Sequence, residues 1–333
     1  MPIFGIDISK HKLDVAWLKE PETRKVKPKV FPNTPTGHEQ LLAWAIHNAQ
    51  CPLSECCFAM EATGVYHERL AMRLYEQGAQ VIVANPQHVS HYGKGLGVKT
   101  KTDKRDSFII AHYAYATHPP LWQPEPGEIR QLKALIGRLE AIEKTLQQER
   151  NRLEKAEVSQ APEVVIDSIK QTTAYLVKEK RDFEQQIEDH LDQHSGLKQD
   201  KTLLESIPGV GTVIASRVIT VMHGHRFHSA AQAAAYCGLV PIEKESGISL
   251  KKKPRLSKVG SAQFRAKLYM ASLSATKHNP LIRAHYLQLI ERGKSKMAAL
   301  GAAMRKLIHI CFGVLKHQQP FSTTFQQKLV QKH

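Results

Sequence analysis

PIFGIDISKHKLDVAWL, residues 2–18, decides the fold. Two apolar runs, 2–8 and 13–18, flank the polar turn Ser9-Lys10-His11-Lys12, and a third strand-like run follows at 26–31. Short strands this close together pair as an antiparallel meander. Working outward, Thr36 and Gly37 open a helical pattern carried by Leu41, Leu42, Trp44 and Ala45. A strand at 55–60, a helix at 65–76, a strand at 80–84 and a helix over 104–116 follow. The order βββαβαβα gives a mixed sheet with helices on both faces, the α/β arrangement of ribonuclease-H-like nucleases, with the first and fourth strands adjacent.

After Pro119, Pro120 and Pro124 the pattern changes. Apolar residues recur at Ile129, Leu132, Ile136, Leu139, Ile142, Leu146 and Leu153, a heptad-like stripe, and Pro162 separates it from a second stretch with Leu176, Val177, Phe183, Ile187 and Leu191. Two long helices of this kind form an antiparallel coiled-coil hairpin or a surface for self-association. From Gly196 the chain is mainly helical, with an extended, lysine-rich interruption over 243–260. At roughly 150 residues per domain, 333 residues hold two cores and a connector, divided as 1–120, 121–195 and 196–333.

The formal net charge is +16, and its distribution matters more than its size. Residues 241–333 carry 18 Lys plus Arg against 3 Glu and no Asp, a net of +15. A field so one-sided suits a polyanion, because neutralising phosphates releases condensed counterions; a solubilising surface would be more evenly charged. Nucleic acid is favoured over a membrane, since no amphipathic anchor and no run of about 18 uncharged apolar residues is found. A soluble, cytoplasmic protein is expected. The five cysteines are scattered without CxxC spacing, which suggests reduced, mostly buried thiols rather than disulfides or a zinc site.

Asp7 stands inside an apolar strand, where an unpaired carboxylate is costly to bury. Glu61 ends the fourth strand, and Asp103 and Asp106 lie three apart at the start of a helix, on one face. Singly, each has an ordinary explanation: a helix cap, a first-turn acid, a solvated strand end. Together they fall where the topology brings chain ends to one edge of the sheet. Four hard oxygen donors suit Mg²⁺ or Mn²⁺, and two such ions about 4 Å apart clamp a phosphodiester for in-line displacement. Lys94, Lys99, Lys101, Lys104 and Arg105 surround the acids on a glycine-containing loop suited to a phosphate backbone.

Leu203-Leu204-Glu205-Ser206-Ile207-Pro208-Gly209-Val210-Gly211-Thr212-Val213 has the pattern of a helix-hairpin-helix. Gly209 and Gly211 let the backbone approach a phosphate, although a Pro-Gly turn between packed helices needs no ligand. Downstream, Glu243-Lys244-Glu245-Ser246-Gly247-Ile248-Ser249 precedes Lys251, Lys252, Lys253, Arg255 and Lys258, five cations in eight residues. A serine hydroxyl there stands where a scissile phosphate would be held, and it needs a base, metal or cationic field to become a nucleophile. Ser246, Ser249, Ser257 and Ser261 all qualify on this ground alone.

The chain resembles the IS110 family of insertion-sequence transposases, which includes the Piv and MooV invertases, over nearly its full length. The resemblance rests on Gly5-Ile6-Asp7-Ile8-Ser9-Lys10, Met60-Glu61-Ala62-Thr63-Gly64, Lys101-Thr102-Asp103-Lys104-Arg105-Asp106, Pro208-Gly209-Val210-Gly211, Gly238-Leu239-Val240-Pro241, Ser246-Gly247 and Ser257-Lys258-Val259-Gly260. It implies a RuvC-like N-terminal domain with an acidic tetrad (Asp7, Glu61, Asp103, Asp106), a coiled coil, and a C-terminal transposase domain whose nucleophile falls on Ser246. It further implies a noncoding bridge RNA, encoded by the element, that pairs with target and donor DNA. A protein rich in phosphate-binding cations and without an evident base-reading helix is compatible with such guidance.

The mechanism expected is attack by Ser246 on a DNA phosphodiester, with metal held by the tetrad, followed by reversal by a second strand's hydroxyl. Holding two duplexes calls for a homo-oligomer, a dimer or tetramer. Two rivals stand beside it: a metal-only junction resolvase with no covalent intermediate, and a non-catalytic nucleic-acid-binding scaffold.

Overall fold

A computed structural model of the chain describes residues 1–23, 25–62, 64–97, 103–246 and 250–323. It divides into two compact units, Met1–Pro124 and Glu125–His333.

In the first unit β1 (Ile3–Ile8), β2 (Lys12–Glu20), β3 (Lys25–Pro32), β4 (Cys57–Glu61) and β5 (Gln80–Ala84) form one sheet in the order β3-β2-β1-β4-β5. The meander β1-β2-β3 is antiparallel, while β4 and β5 join parallel to β1. This is the mixed, ribonuclease-H-like sheet that the strand spacing predicts. Strand alternation sorts its side chains. Phe4, Ile6, Leu13, Val15, Phe58 and Met60 point to the face covered by α1 (Pro35–Ala49) and α2 (Glu68–Glu76). Ile3, Leu18, Cys57, Ala59 and Ile82 point to the other, under α3 (Pro86–Gly95) and α4 (Asp103–Thr117). Each such apolar side chain, taken fully out of water, contributes about 1.5–3 kcal/mol.

Local chemistry sets the helix starts. Thr34 accepts from the Gly37 amide at 3.2 Å and Pro35 occupies the first turn of α1, the usual place for a residue with no N–H to offer. Asn85 caps α3 in the same way, accepting from the Gln87 amide at 2.9 Å with Pro86 next. The sequence reading places Lys94 on a glycine-containing loop, glycine being a turn signal. Lys94 instead sits in the last turn of this helix.

The second unit contains α5 (Gly127–Val158), α6 (Glu163–Gln193), α7 (Ser195–Glu205), α8 (Thr212–Gly224), α9 (Ala230–Tyr236), α10 (Ala262–His278), α11 (Pro280–Glu291) and α12 (Lys296–His317), with β6 (Pro241–Ser246) and β7 (Leu250–Leu256) between α9 and α10. α5 and α6 pair as a helical hairpin, with Ile142 and Leu146 packed on Leu176, and Arg138 bonded to Glu179 at 2.8 Å. The same stripe changes partner along its length. Ile129, Leu132, Ile136 and Leu139 enter the large helical core together with Ile187, Leu191 and side chains of α7 to α12. α12 is the one described helix long and apolar enough to span a membrane, and its Leu300, Met304, Leu307, Ile308 and Cys311 lie inside that core. All five cysteines are free, and four are buried.

Burial holds the imidazoles of His38, His67, His225, His285 and His309 below their ordinary pKa, so the fold favours their neutral forms. Stability from such groups is present above the unfolded-state pKa of about 6.5 and is lost as the pH falls through the lower folded values. The denaturation midpoint should therefore drop between about pH 7.5 and about pH 5.5, before most carboxylates titrate; a midpoint that is flat across this window would show that these histidines are not held neutral.

Candidate functional site

In the parallel pair β1/β4, Ile6 lies beside Met60, so the next residues, Asp7 and Glu61, stand at the carboxyl ends of neighbouring strands. Ile6 and Met60 point into the α1–α2 face, which turns Asp7 and Glu61 to the side of α4. Carboxyl ends of strands in open α/β sheets are where ligands bind, because the connecting loops diverge there.

The fit between α4 and β1 decides how close the helix comes. A Cβ at Gly5 would lie 2.1 Å from the Ser107 carbonyl oxygen and 2.4 Å from the Ala111 nitrogen. Glycine is thus required two residues before Asp7, and the helix backbone rests on the strand at the turn that carries Asp106 and Ser107. Ser107 is 1 % exposed, while Asp7, Glu61 and Asp106 are half-buried. Asp103 starts α4 one turn earlier; its side chain, with that of Lys104, lies outside the described residues, as do Lys99 and Lys101. Arg105 is on the exposed side of α4. Among the described residues no three His, Cys, Asp or Glu side chains stand in a metal-holding arrangement. The donor set that the backbone gathers at this edge is all carboxylate, which suits a hard divalent cation.

Two residues of this edge escape the sequence reading. Asp14 is directly opposite Asp7 across the β1–β2 ladder, hence on the same face, and it is 7 % exposed. Carboxylates so placed repel, and Lys12 Nζ, 3.0 Å from Asp14 Oδ2, offsets this. The alternation Leu13-Asp14-Val15 is the signal that would have found it. Asn33 fastens the surrounding loops: its Nδ2 donates to Ser9 O at 3.0 Å and Tyr66 O at 3.2 Å, and its Oδ1 accepts from His38 Nε2 at 2.8 Å. The segments after β1 and β4 are thereby held together just beyond Asp7 and Glu61.

In the second unit the Pro208–Gly211 turn joins α7 to α8. Gly209 has φ +98° and a Cβ there would meet Ala275 of α10 at 2.8 Å, so its freedom serves packing. Gly211 has open space beside it and precedes α8 in extended conformation. Of the two glycines, Gly209 is required by the neighbouring helix, while no such contact requires Gly211.

β6 and β7 form an antiparallel arm in which Ser246, the last residue of β6, pairs with Leu250. A register shift between Ile242 and Lys244 bends the arm below it. Residues 247–249, including Ser249, lie outside the described residues, as do the side chains of Ser246, Lys251, Lys252 and Lys253. On the backbone, Lys251 pairs with Glu245 and Lys252 with Lys244, so the lysines flank Ser246's strand. Arg255 and Lys258 are exposed near the foot. The other serines have different work. Ser261 caps α10 by accepting from the Phe264 amide at 3.1 Å, and the Ser257 hydroxyl is buried at the foot with no hydrogen-bond partner among the described residues.

The mixed sheet with acids at its strand ends and the largely helical second unit can be set beside known proteins. A DEDD-type IS110 profile described as "Transposase" matches residues 4–157, and the profile "Transposase IS116/IS110/IS902 family" matches 201–287. The pilin gene-inverting protein of Moraxella bovis is 30% identical over 95% of the chain and 96% of its own length, and that of Moraxella lacunata agrees to the same extent. An uncharacterized 43.6 kDa protein of the insertion element IS110 from Streptomyces coelicolor is 28% identical over 46% of the chain and 37% of its own. Among solved structures, T. thermophilus RuvC in complex with a Holliday junction substrate aligns with 37% of the chain and 99% of its own at 15% identity and a TM-score of 0.27. The protein is a DNA transposase or recombinase. It belongs to the IS110 family.

Replacing Gly5 by Ala should force α4 off β1. Overpacking of this kind costs about 1–3 kcal/mol. The variant should show a lower unfolding temperature together with a loss of strand cleavage greater than the fraction unfolded explains. Wild-type cleavage by Gly5→Ala would mean that the approach of α4 is immaterial to the site.

Proposed function

We propose that the chain cuts and rejoins DNA through a covalent phosphoserine at Ser246, assisted by a divalent cation held by Asp7, Glu61, Asp103 and Asp106, with sequence choice supplied by a bridge RNA. The observation that carries this is the near full-length likeness to proteins named for inverting a gene, since inversion demands that every strand cut be resealed. A covalent intermediate conserves the phosphodiester's energy for that resealing.

In the first step Ser246 Oγ bonds to phosphorus, its proton passes to a base, and the bond from phosphorus to the leaving strand's oxygen breaks, that oxygen taking up a proton. In the second, the hydroxyl of an incoming strand attacks the phosphoserine and Ser246 is released. The cation, when bound, supplies charge stabilisation at the phosphate. The arm's Lys251, Lys252, Lys253 and Arg255, with Lys258, hold the backbone of the strand, and Lys99, Lys101, Lys104, Arg105 and the amides after Gly211 give further phosphate contacts. The Mg²⁺ or Mn²⁺ site, the donor and target DNA, the RNA and a homo-oligomer that holds two duplexes in the cytoplasm form one consistent assembly. Guidance by RNA fits a protein whose cations outnumber its candidate base readers.

Ser246→Ala removes one oxygen and should abolish both the protein–DNA adduct and recombination while leaving DNA affinity near wild type; Ser249→Ala, Ser257→Ala and Ser261→Ala should each retain the adduct. An adduct that persists in Ser246→Ala and vanishes in Ser249→Ala moves the nucleophile, and cleavage that survives all four with no adduct anywhere leaves a metal-only resolvase. Cleavage of nothing by the unaltered protein would leave the scaffold.

Changing Lys251, Lys252 and Lys253 together to Gln should weaken binding with little change in sequence preference, and should flatten log K against log salt by about 0.9 per lost duplex contact. A slope that stays as steep returns these lysines to ordinary surface.

A further inference from the structure

The arm is a two-stranded ribbon, and Ser246 ends its first strand. From Pro241 to Ser246 is six residues, and five steps of about 3.3 Å place the serine's backbone roughly 16 Å from the foot. A small rotation at the foot therefore becomes a large displacement at the hydroxyl. What fixes the foot decides where Ser246 points.

Two segments meet there, Gly238-Leu239-Val240 leading into β6 and Ser257-Lys258-Val259-Gly260 leaving β7. The Ser257 amide donates to Val240 O at 2.9 Å and the Lys258 amide donates to Gly238 O at 3.2 Å. Three residues are in the left-handed region: Gly238 at φ +72°, Lys258 at +56° and Gly260 at +77°. Lys258, with a side chain, is strained in this conformation and persists in it only because its surroundings hold it. The segments are in backbone contact, since a Cβ at Gly238 would lie 2.2 Å from Val259 O, and one at Gly260 would lie 2.6 Å from Tyr236 O. Beneath them Cys237 and Leu239 are buried in the helical core.

Arg265, in the first turns of α10, closes this junction. Its Nη1 donates to Val259 O at 2.6 Å and to Gly260 O at 3.0 Å, and stands 3.0 Å from where a Gly238 Cβ would be. A planar guanidinium reaches both carbonyls from one nitrogen and keeps its charge throughout, which a lysine on a flexible stem does less well.

We propose that Arg265 is a positioning residue for strand transfer: by tying Val259 and Gly260 to α10 across Gly238, it fixes the foot of the arm and so the direction in which Ser246 meets the phosphate. This rests on Ser246 being the nucleophile. On this reading Arg265 contacts neither DNA nor the reacting atoms, so its removal acts on rate and not on affinity.

The test uses full-length Arg265→Ala and Arg265→Lys. Adduct formation is timed at saturating DNA, DNA affinity is measured against salt, and hydrogen exchange is followed at the amides of Ser257 and Lys258. In Arg265→Ala, adduct formation should slow by about 100-fold, the scale expected for a misplacement near 1 Å. Affinity and salt slope should hold, the two amides should exchange faster, and added guanidinium should restore part of the rate. Arg265→Lys, which keeps the charge and guards against a variant that fails to fold, should fall between. Wild-type adduct rates in both variants overturn the proposal, as does a flatter salt slope with an unchanged saturated rate, which would make Arg265 a phosphate contact. If Ser246→Ala still forms the adduct, the nucleophile lies elsewhere and the proposal falls with it; that result is distinct from a failed clamp, in which Ser246 stays essential and Arg265→Ala is as fast as wild type.

Discussion

The first unit is organised around one steric contact, the backbone of α4 lying on β1 at Gly5. With Ser107 O and Ala111 N where a side chain would be, helix and strand touch main chain to main chain. Ile109, Ile110, Ala111 and Ala114 then fill the face behind the contact, and Ala59 on the neighbouring strand keeps that face shallow. This main-chain contact puts the turn of α4 that carries Asp106 against the strand that carries Asp7. Asn33, reaching Ser9 and Tyr66, performs a similar service for the loops beyond the strand ends.

How much of this was legible depended on whether a feature was periodic. The meander, the parallel additions and the two long helices repeat their apolar residues at strand or helix spacing, and the sheet order follows from them. Asp7 and Glu61 stood out as acids in or at the end of apolar strands, and Asp103 and Asp106 as acids three apart at a helix start. α3 was not legible, because Asn85-Pro86 serves equally as a turn and as a cap, and only the three-dimensional burial of Val89 and Gly93 separates the two. Asp14 was passed over since one acid in a half-buried strand normally faces water; its partner opposite, Asp7, is a matter of register. Gly209 shows a converse limit. A glycine demanded by a neighbouring helix and one demanded by a ligand look alike in sequence, and Ala275, distant along the chain, tells them apart.

The second unit explains the one-sided charge. α7 to α12 bury an almost wholly aliphatic core, leaving their polar faces, the arm and the ends of the helices to carry the cations. Lys306 shows what crowding does there: half-buried, its ammonium is held below the usual lysine pKa by loss of water. His285 and His309 beside it are depressed by burial and further by their cationic neighbours. Charge concentrated in this way is relieved when a polyanion supplies the missing counterions.

The junction at the base of the arm has a consequence for how such proteins diversify. Because the backbone bonds Ser257 N–Val240 O and Lys258 N–Gly238 O, with Arg265 on Val259 O and Gly260 O, close it from outside the hairpin, none of these bonds uses a side chain of residues 241–256. Lengthening a loop whose ends are already pinned adds only about 0.6 kcal/mol for each doubling. The far end of the hairpin, beyond Leu256, whose side chain lies against Gly301 of α12, is therefore the part of this unit where a change of length costs the helical body least.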